Sequence, residues 1–312
     1  MATLCRSLAA GAALTSALLV GCSENAGLVQ PSGPAAIPAV RAGEATHRPI
    51  ADKSKSYVYV ADDYSNTVFI FNVKGGYVSQ VGSITQGLSG PQGIAIDKAG
   101  TLYVPNTNAA NVTVYPAGQT SPSLTLSQDL TVPDFVAVDR GGNVWVSNAE
   151  VPGSVVEFPK GSTTPSTVLT TGINGPEGLA FDAKGNLLVV NAGLGSVAVF
   201  PPGATSPSST FGYGQFSYPL GIALDAKGAV YVCDFAQANV VVFSSKYKFK
   251  KTIFTNLDSG PIAFHDKLFY VGGSDLSTVL DFHLNGKPGV IRIHNNLLSA
   301  FGVAADPPTL PR

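Results

Sequence analysis

The chain has 312 residues, of which 45% are hydrophobic and only 12% charged, with 34 glycines and 22 prolines. The formal charge of −1 gives no general attraction to a phosphate backbone, which argues against a nucleic-acid partner. Low charge with abundant turn residues fits an all-β chain built from many short strands.

The first element is an address. Residues 1–21 read as a secretion signal: Arg6, then an apolar run from Leu8 to Val20, then a small residue. The run is too short to remain as a membrane-spanning helix. It ends in Leu19-Val20-Gly21-Cys22, which resembles the bacterial lipobox. That resemblance implies that Cys22 is diacylated and becomes the mature N-terminus, and several acyl chains on one residue anchor a protein stably. The expectation is an exported bacterial lipoprotein, on the outer membrane facing the periplasm or at the cell surface. Residues 22–55 have no periodicity and read as a flexible tether. Of the three cysteines, Cys5 falls in the signal, Cys22 carries the lipid, and Cys233 lies in the apolar strand Val230-Tyr231-Val232-Cys233. No intramolecular disulfide is expected, and Cys233 reads as a buried, inert thiol.

Beyond the tether one line recurs: Gly-Ile-Ala-Ile-Asp97, Phe-Val-Ala-Val-Asp139, Gly-Leu-Ala-Phe-Asp182, Gly-Ile-Ala-Leu-Asp225, Pro-Ile-Ala-Phe-His265-Asp266 and Gly-Val-Ala-Ala-Asp306. Successive aspartates are 42, 43, 43, 41 and 40 residues apart. A polar turn and a second strand follow each copy but the last, and a third strand ends on Phe71, Tyr115, Phe158, Phe200, Phe243 or Phe282. A weaker fourth strand completes the unit. Four short strands per repeat of this length make a β-propeller blade, which needs neighbours to bury both faces. The first strand, from Ser56, has no inner strand before it, and the last, ending at Asp306, has nothing after it. The C-terminal strand therefore completes the N-terminal blade, predicting a six-bladed propeller of four-stranded blades over 56–307, with a tail at 308–312. The column Tyr59, Tyr103, Trp145, Tyr231, Tyr270 reads as packing between blades.

The Pro-x-Gly-Ile-Ala-x-Asp line, followed by x-Tyr-Val-x-Asn/Asp, resembles the NHL-repeat family of six-bladed propellers over about residues 56–306. Blades two to four share a further turn after the third strand: Tyr-Pro-Ala-Gly118, Phe-Pro-Lys-Gly161 and Phe-Pro-Pro-Gly203. Proline and glycine there set a tight loop ahead of an outer strand.

Two residue columns converge on the face where inner strands begin and second strands end, the place where propellers gather ligands. Along the start of the inner strand run Gln92, Asp134, Glu177, Leu220, Gly260 and Phe301; at the end of the second strand run Asp62, Asn106, Asn148, Asn191, Asp234 and Gly273. The second column reads as caps for the turn that follows. The first breaks the repeat, with polar residues on one side of the ring and apolar ones on the other. Oxygen ligands grouped in this way suit a divalent cation such as Ca²⁺. In this respect the chain is similar to gluconolactonase-like propellers, a resemblance that implies a metal held by Asp134 and Glu177, helped by Gln92 and Asn148, and a metal-dependent hydrolase.

No Gly-x-Ser-x-Gly elbow is present, and the histidines are His47, His265, His283 and His294. Nothing in the sequence assembles a nucleophile with its base. An aromatic-glycine loop, Phe211-Gly-Tyr213-Gly-Gln-Phe216-Ser-Tyr218, enters the fifth blade on the same face, where Tyr213 and Phe216 could stack on a sugar or peptide. The alternating Lys246–Lys251 segment reads as protection of an outer edge. The reading that follows is a monomeric, membrane-anchored, non-catalytic scaffold for a protein or glycan partner, with the lactonase-type hydrolase as its alternative.

Overall fold

A computed structural model describes residues 56–306 apart from 75–76, 266–267, 274–277 and 294–296. The predicted signal at 1–21, Cys22, the tether at 22–55, the tail at 308–312, His47 and His294 lie outside the described residues.

The described chain forms six four-stranded antiparallel sheets. Blade 3 shows the pattern: inner strand Pro133–Val138, second Val144–Asn148, third Ser154–Phe158 and outer Thr167–Leu169. The inner strands of blades 2, 4, 5 and 6 are Ala95–Ile96, Pro176–Phe181, Pro219–Leu224 and Ser259–His265. Blade 1 is completed from the other end of the sequence, since Ala300–Asp306 pairs antiparallel with Ser56–Asp62. The architecture is a six-bladed β-propeller closed by its C-terminal strand.

The second strands explain why a ring forms at all. Leu102–Asn106, Leu187–Asn191 and Val230–Asp234 are buried at every position, which requires apolar cover on both faces of each sheet. That cover comes from the neighbours, and a separate hydrophobic cluster fills each blade junction. Tyr59 and Ile70 of blade 1 meet Ile96 and Val104 of blade 2, while Val60 and Phe71 meet Tyr270 and Val279 of blade 6. The six third-strand aromatics, from Phe71 to Phe282, are each no more than 2% exposed.

The aromatic column packs between blades as the sequence reading expects: Tyr59, Tyr103, Tyr231 and Tyr270 are buried. Trp145 packs on the cluster between blades 3 and 4 but stays partly exposed, its indole edge-on to Phe181 of the next blade (6.1 Å between centroids, 69° between planes).

Cys233 is fully buried between blades 5 and 6, and burial followed by the neighbouring Asp234 carboxylate pushes its thiol up. The native protein is expected to leave Cys233 unmodified by iodoacetamide and to react only after unfolding. Peptide mapping by mass spectrometry checks this, and rapid labelling of the folded protein would overturn it.

Candidate functional site

The first column is set by a bulge that repeats around the ring. In blade 3, Pro133 pairs with Asn148 and Val136 with Val146, so the inner strand carries one residue more than its partner. The same shift lies between Pro176 and Leu179, Pro219 and Ile222, and Ser259 and Ile262. A bulge of this kind re-aims the side chain that sits on it, and Asp134, Glu177, Leu220 and Gly260 all follow the first residue of theirs. In blade 3 the Ser147 hydroxyl fills the gap, accepting from Phe135 N (3.0 Å) and donating to Phe135 O (3.3 Å).

At this level the inner strands of neighbouring blades come backbone to backbone. Gly93 N donates to Asp134 O at 2.8 Å, and Val136 N returns to Gly93 O at 3.2 Å. A Cβ on Gly178 would stand 2.5 Å from Leu220 O, and one on Gly221 would stand 2.3 Å from Gly260 O. The glycine of the repeat line is therefore a spacing device for the neck of the channel. Asp134 and Glu177 are 5% and 2% exposed, so they are buried acids in this neck and not a solvated rim; Gln92 is half-buried. The Tyr218 hydroxyl, from the loop entering blade 5, donates to Glu177 Oε1 at 3.5 Å, the outer limit of a hydrogen bond. Tyr218 closes the aromatic-glycine loop that the sequence placed on this face, but its contact with Glu177 was not visible there.

The second column serves the turn that follows in part, since Asp62 accepts from Ser65 N and the Asn106 and Asn148 amides donate across it to Asn111 Oδ1 (3.0 Å) and Ser154 Oγ (2.9 Å). Its members also bind the loop that enters their own blade's inner strand, about one hairpin upstream, which was not expected. Asn106 Oδ1 accepts from Ser89 N (3.1 Å), Asn148 Oδ1 from Thr131 N (2.9 Å) and Asn191 Oδ1 from Asn174 N (3.1 Å). Asp234 takes Ser217 N and Tyr218 N at 2.6 and 3.0 Å. Asp62 binds the following turn through Ser65 N (2.8 Å) and also Leu298 N and Ser299 N across the ring closure. All five are buried, because each replaces the backbone partners that an entering loop lacks. Asn106, Asn148, Asn191 and Asp234 are therefore supports beneath the channel-mouth face, with their side chains committed to the fold.

The aromatic loop divides. Tyr213 is 59% exposed and available for contact, whereas Phe216 turns inward onto the cluster between blades 4 and 5 and packs on Phe243 (5.8 Å). Among the described residues no three His, Cys, Asp or Glu side chains gather as a metal site, and the Asn148 amide, expected as a helper to Asp134 and Glu177, is taken up by Thr131, Asp129 and Ser154. Two clefts open instead on the opposite face, around the blade 3 turn at Asp139–Gly142, with volumes of about 320 and 210 Å³.

With this geometry in place, similarity to known proteins can be weighed. The family model described as Lactonase, 7-bladed beta-propeller matches residues 50–140, less than a third of the chain. No curated protein sequence matches. Among solved structures, a chain from the crystal structure of a nidogen/laminin complex is similar at 14% identity, covering 80% of this chain and 98% of that one, with a TM-score of 0.67. A functionally unknown protein from Desulfotomaculum acetoxidans DSM 771 is 14% identical, with 84% and 88% covered and a TM-score of 0.61. Virginiamycin B lyase from Staphylococcus aureus is 9% identical, with 80% and 87% covered and a TM-score of 0.56. What they share with this chain is the propeller. At these identities the likeness is one of fold, and function has to be argued from the site.

Proposed function

We propose that the chain is a non-catalytic binding scaffold, acylated at Cys22 and displayed from the outer membrane as a monomer, whose channel-mouth face captures a protein or glycan partner. One observation carries this reading. Asp134 and Glu177 are held buried at the same bulge of adjacent blades, whereas the next three blades carry Leu220, Gly260 and Phe301 there. A buried carboxylate such as Asp134 is stabilised by hydrogen-bond donors, which suits a partner that brings hydroxyls or an ammonium group to this face. The NHL-like repeat line and the exposed Tyr213 beside this face point the same way.

The test replaces both acids by their amides, Asp134→Asn with Glu177→Gln, which keeps their volume. Wild-type and variant proteins are screened on the same glycan array and the same random-peptide display library. Ligands selected by the wild type should bind the variant about tenfold more weakly or worse, the loss of one to two kcal/mol of charge-assisted contact. An unchanged binding profile in a folded variant removes this face from consideration.

The lactonase family match favours a second reading, a metal-dependent hydrolase at the same face. It expects lactone turnover that a chelator abolishes, and stabilisation of about 2.7 kcal/mol by a cation held at a hundredfold excess over its Kd. Inactivity across a lactone panel with Ca²⁺, Mn²⁺ and Zn²⁺ supplied would eliminate it.

A further inference from the structure

Blade 3 departs from the repeat at one cross-strand pair, and the departure lines a cleft. In blades 1, 2, 4 and 5 the second and third strands pair Tyr59 with Ile70, Tyr103 with Val114, Leu188 with Val199 and Tyr231 with Val242. All eight side chains are buried. In blade 3 the same register pairs Trp145 with Glu157, and neither is fully buried. The tyrosine of blade 2 donates its hydroxyl to the turn aspartate of its own blade, Tyr103 to Asp97 at 3.2 Å. Trp145 cannot repeat that bond, and its indole nitrogen is buried without a hydrogen-bond partner among the described residues. Blade 6 also carries an acid in this pair, Tyr270 with Asp281, but both are buried, so blade 3 differs in leaving the pair partly exposed; a locally unfavourable residue at such a place marks a functional position more often than a structural one.

The cleft of about 320 Å³ lies between blades 3 and 4 on the face opposite the channel mouth. Trp145 and Phe181 form its aromatic wall, and Pro202, which replaces the Ala117 and Lys160 of the equivalent turns, extends the apolar surface. Glu157 and Arg140 line the same opening; Glu157 Oε2 already accepts from the Ser166 hydroxyl (2.9 Å) and the Thr167 hydroxyl (2.7 Å), so Oε1 is the oxygen left to meet a ligand. Two further acids there belong to the fold. Asp139 accepts from Asn143 N and Nδ2, both at 2.9 Å, and Asp182 from Lys184 N, Asn186 N, Asn186 Nδ2 and the Tyr247 hydroxyl. The volume is at the lower end for a ligand pocket.

We propose that this cleft binds a neutral pyranose ring, a second ligand site independent of the channel mouth. A pyranose has an apolar C–H face for the indole and an equatorial rim of hydroxyls that both donate and accept. Glu157 Oε1 can accept from that rim and the Arg140 guanidinium can donate to it, without favouring a charged ligand. The surrounding carboxylates oppose a phosphate or other anion.

Trp145 is the only tryptophan in the chain, so its emission reports on this cleft alone. The full-length protein is titrated with glucose, galactose, mannose and N-acetylglucosamine and with trimers of each. At least one should shift or quench the emission saturably. Trp145→Tyr and Glu157→Val install the residues that other blades carry, so both proteins should fold. Each should bind the responding saccharide about tenfold more weakly by calorimetry, the equivalent of one lost aromatic or polar contact. The Asp134→Asn, Glu177→Gln protein should give the wild-type titration, which separates this site from the proposed channel-mouth site. The assignment is overturned if no saccharide moves the emission, if Trp145→Tyr and Glu157→Val bind like wild type, or if the response disappears with the channel-mouth acids.

Discussion

Replacing Asp62 by alanine should cost about 4 kcal/mol and lower the unfolding midpoint by roughly 10 °C, while asparagine at the same position costs about 1–2 kcal/mol. The carboxylate is fully buried and holds three backbone N–H groups: Ser65, at 2.8 Å, and Leu298 and Ser299 from the far end of the sequence. Hydrogen bonds to a charged acceptor contribute about 1.5–3 kcal/mol each, and truncation leaves buried donors behind, so partial entry of water still leaves a large deficit. Asparagine keeps one acceptor oxygen, and Asn106, Asn148 and Asn191 show that an amide serves this role in blades 2 to 4. The location raises the stakes. Ser299 precedes Ala300–Asp306, the strand that closes the ring, so its loss frees both ends of the chain together. Denaturant titration with hydrogen exchange on that strand measures the effect. A cost for Asp62→Ala below about 1 kcal/mol would mean that strand pairing alone closes the propeller, without the clamp.

Much of this was readable from the residues. The repeat spacing, the third-strand aromatics and the missing first strand before Ser56 fixed blade number and closure, because each depends on contacts within one unit or on the order of units. The contacts that were not legible share a different origin. Asn148 was expected to serve the turn beside it, and its amide does reach Ser154 across that turn, but its oxygen also meets Thr131, which the bulged hairpin brings back from 17 residues upstream. Trp145 packs across a blade junction as its column predicts, but its partial exposure beside Phe181 was not legible, since a period gives a residue's place in its own blade without its neighbour's side chain. Phe216 and Tyr213 looked alike as members of one loop. The first is drawn onto Phe243 in the core and the second is left outside, a choice made by tertiary packing. Asp134 and Glu177 were found because they break a repeat, and their burial was not, since the narrowness of the neck follows from backbone approach between blades.

That neck gives the other large expected effect. Gly178→Ala should cost about 3 kcal/mol, at the upper end of overpacking penalties, and should weaken ligand capture at the channel mouth as well. The added methyl would sit 2.5 Å from Leu220 O, 2.9 Å from Ile222 N and 3.1 Å from Gly221 Cα. All three are backbone, so no rotamer change can relieve the contact. Blade 5 cannot simply retreat, because Gly221 is itself in close approach to blade 6, where a Cβ would meet Gly260 O at 2.3 Å. The strain must therefore open the junction between blades 4 and 5, which is where Tyr218 of one blade reaches Glu177 of the other. Stability and binding should fall together in Gly178→Ala, whereas the Asp134→Asn, Glu177→Gln protein should lose binding with its fold retained. Chemical denaturation and affinity for the selected ligand, measured on both proteins, separate the two. If Gly178→Ala unfolds like wild type, the inner strands have freedom to move apart at this level. Burial of Glu177 would then depend on the entering loop at Ser217–Tyr218, held by Asp234, instead of on the closeness of the blades.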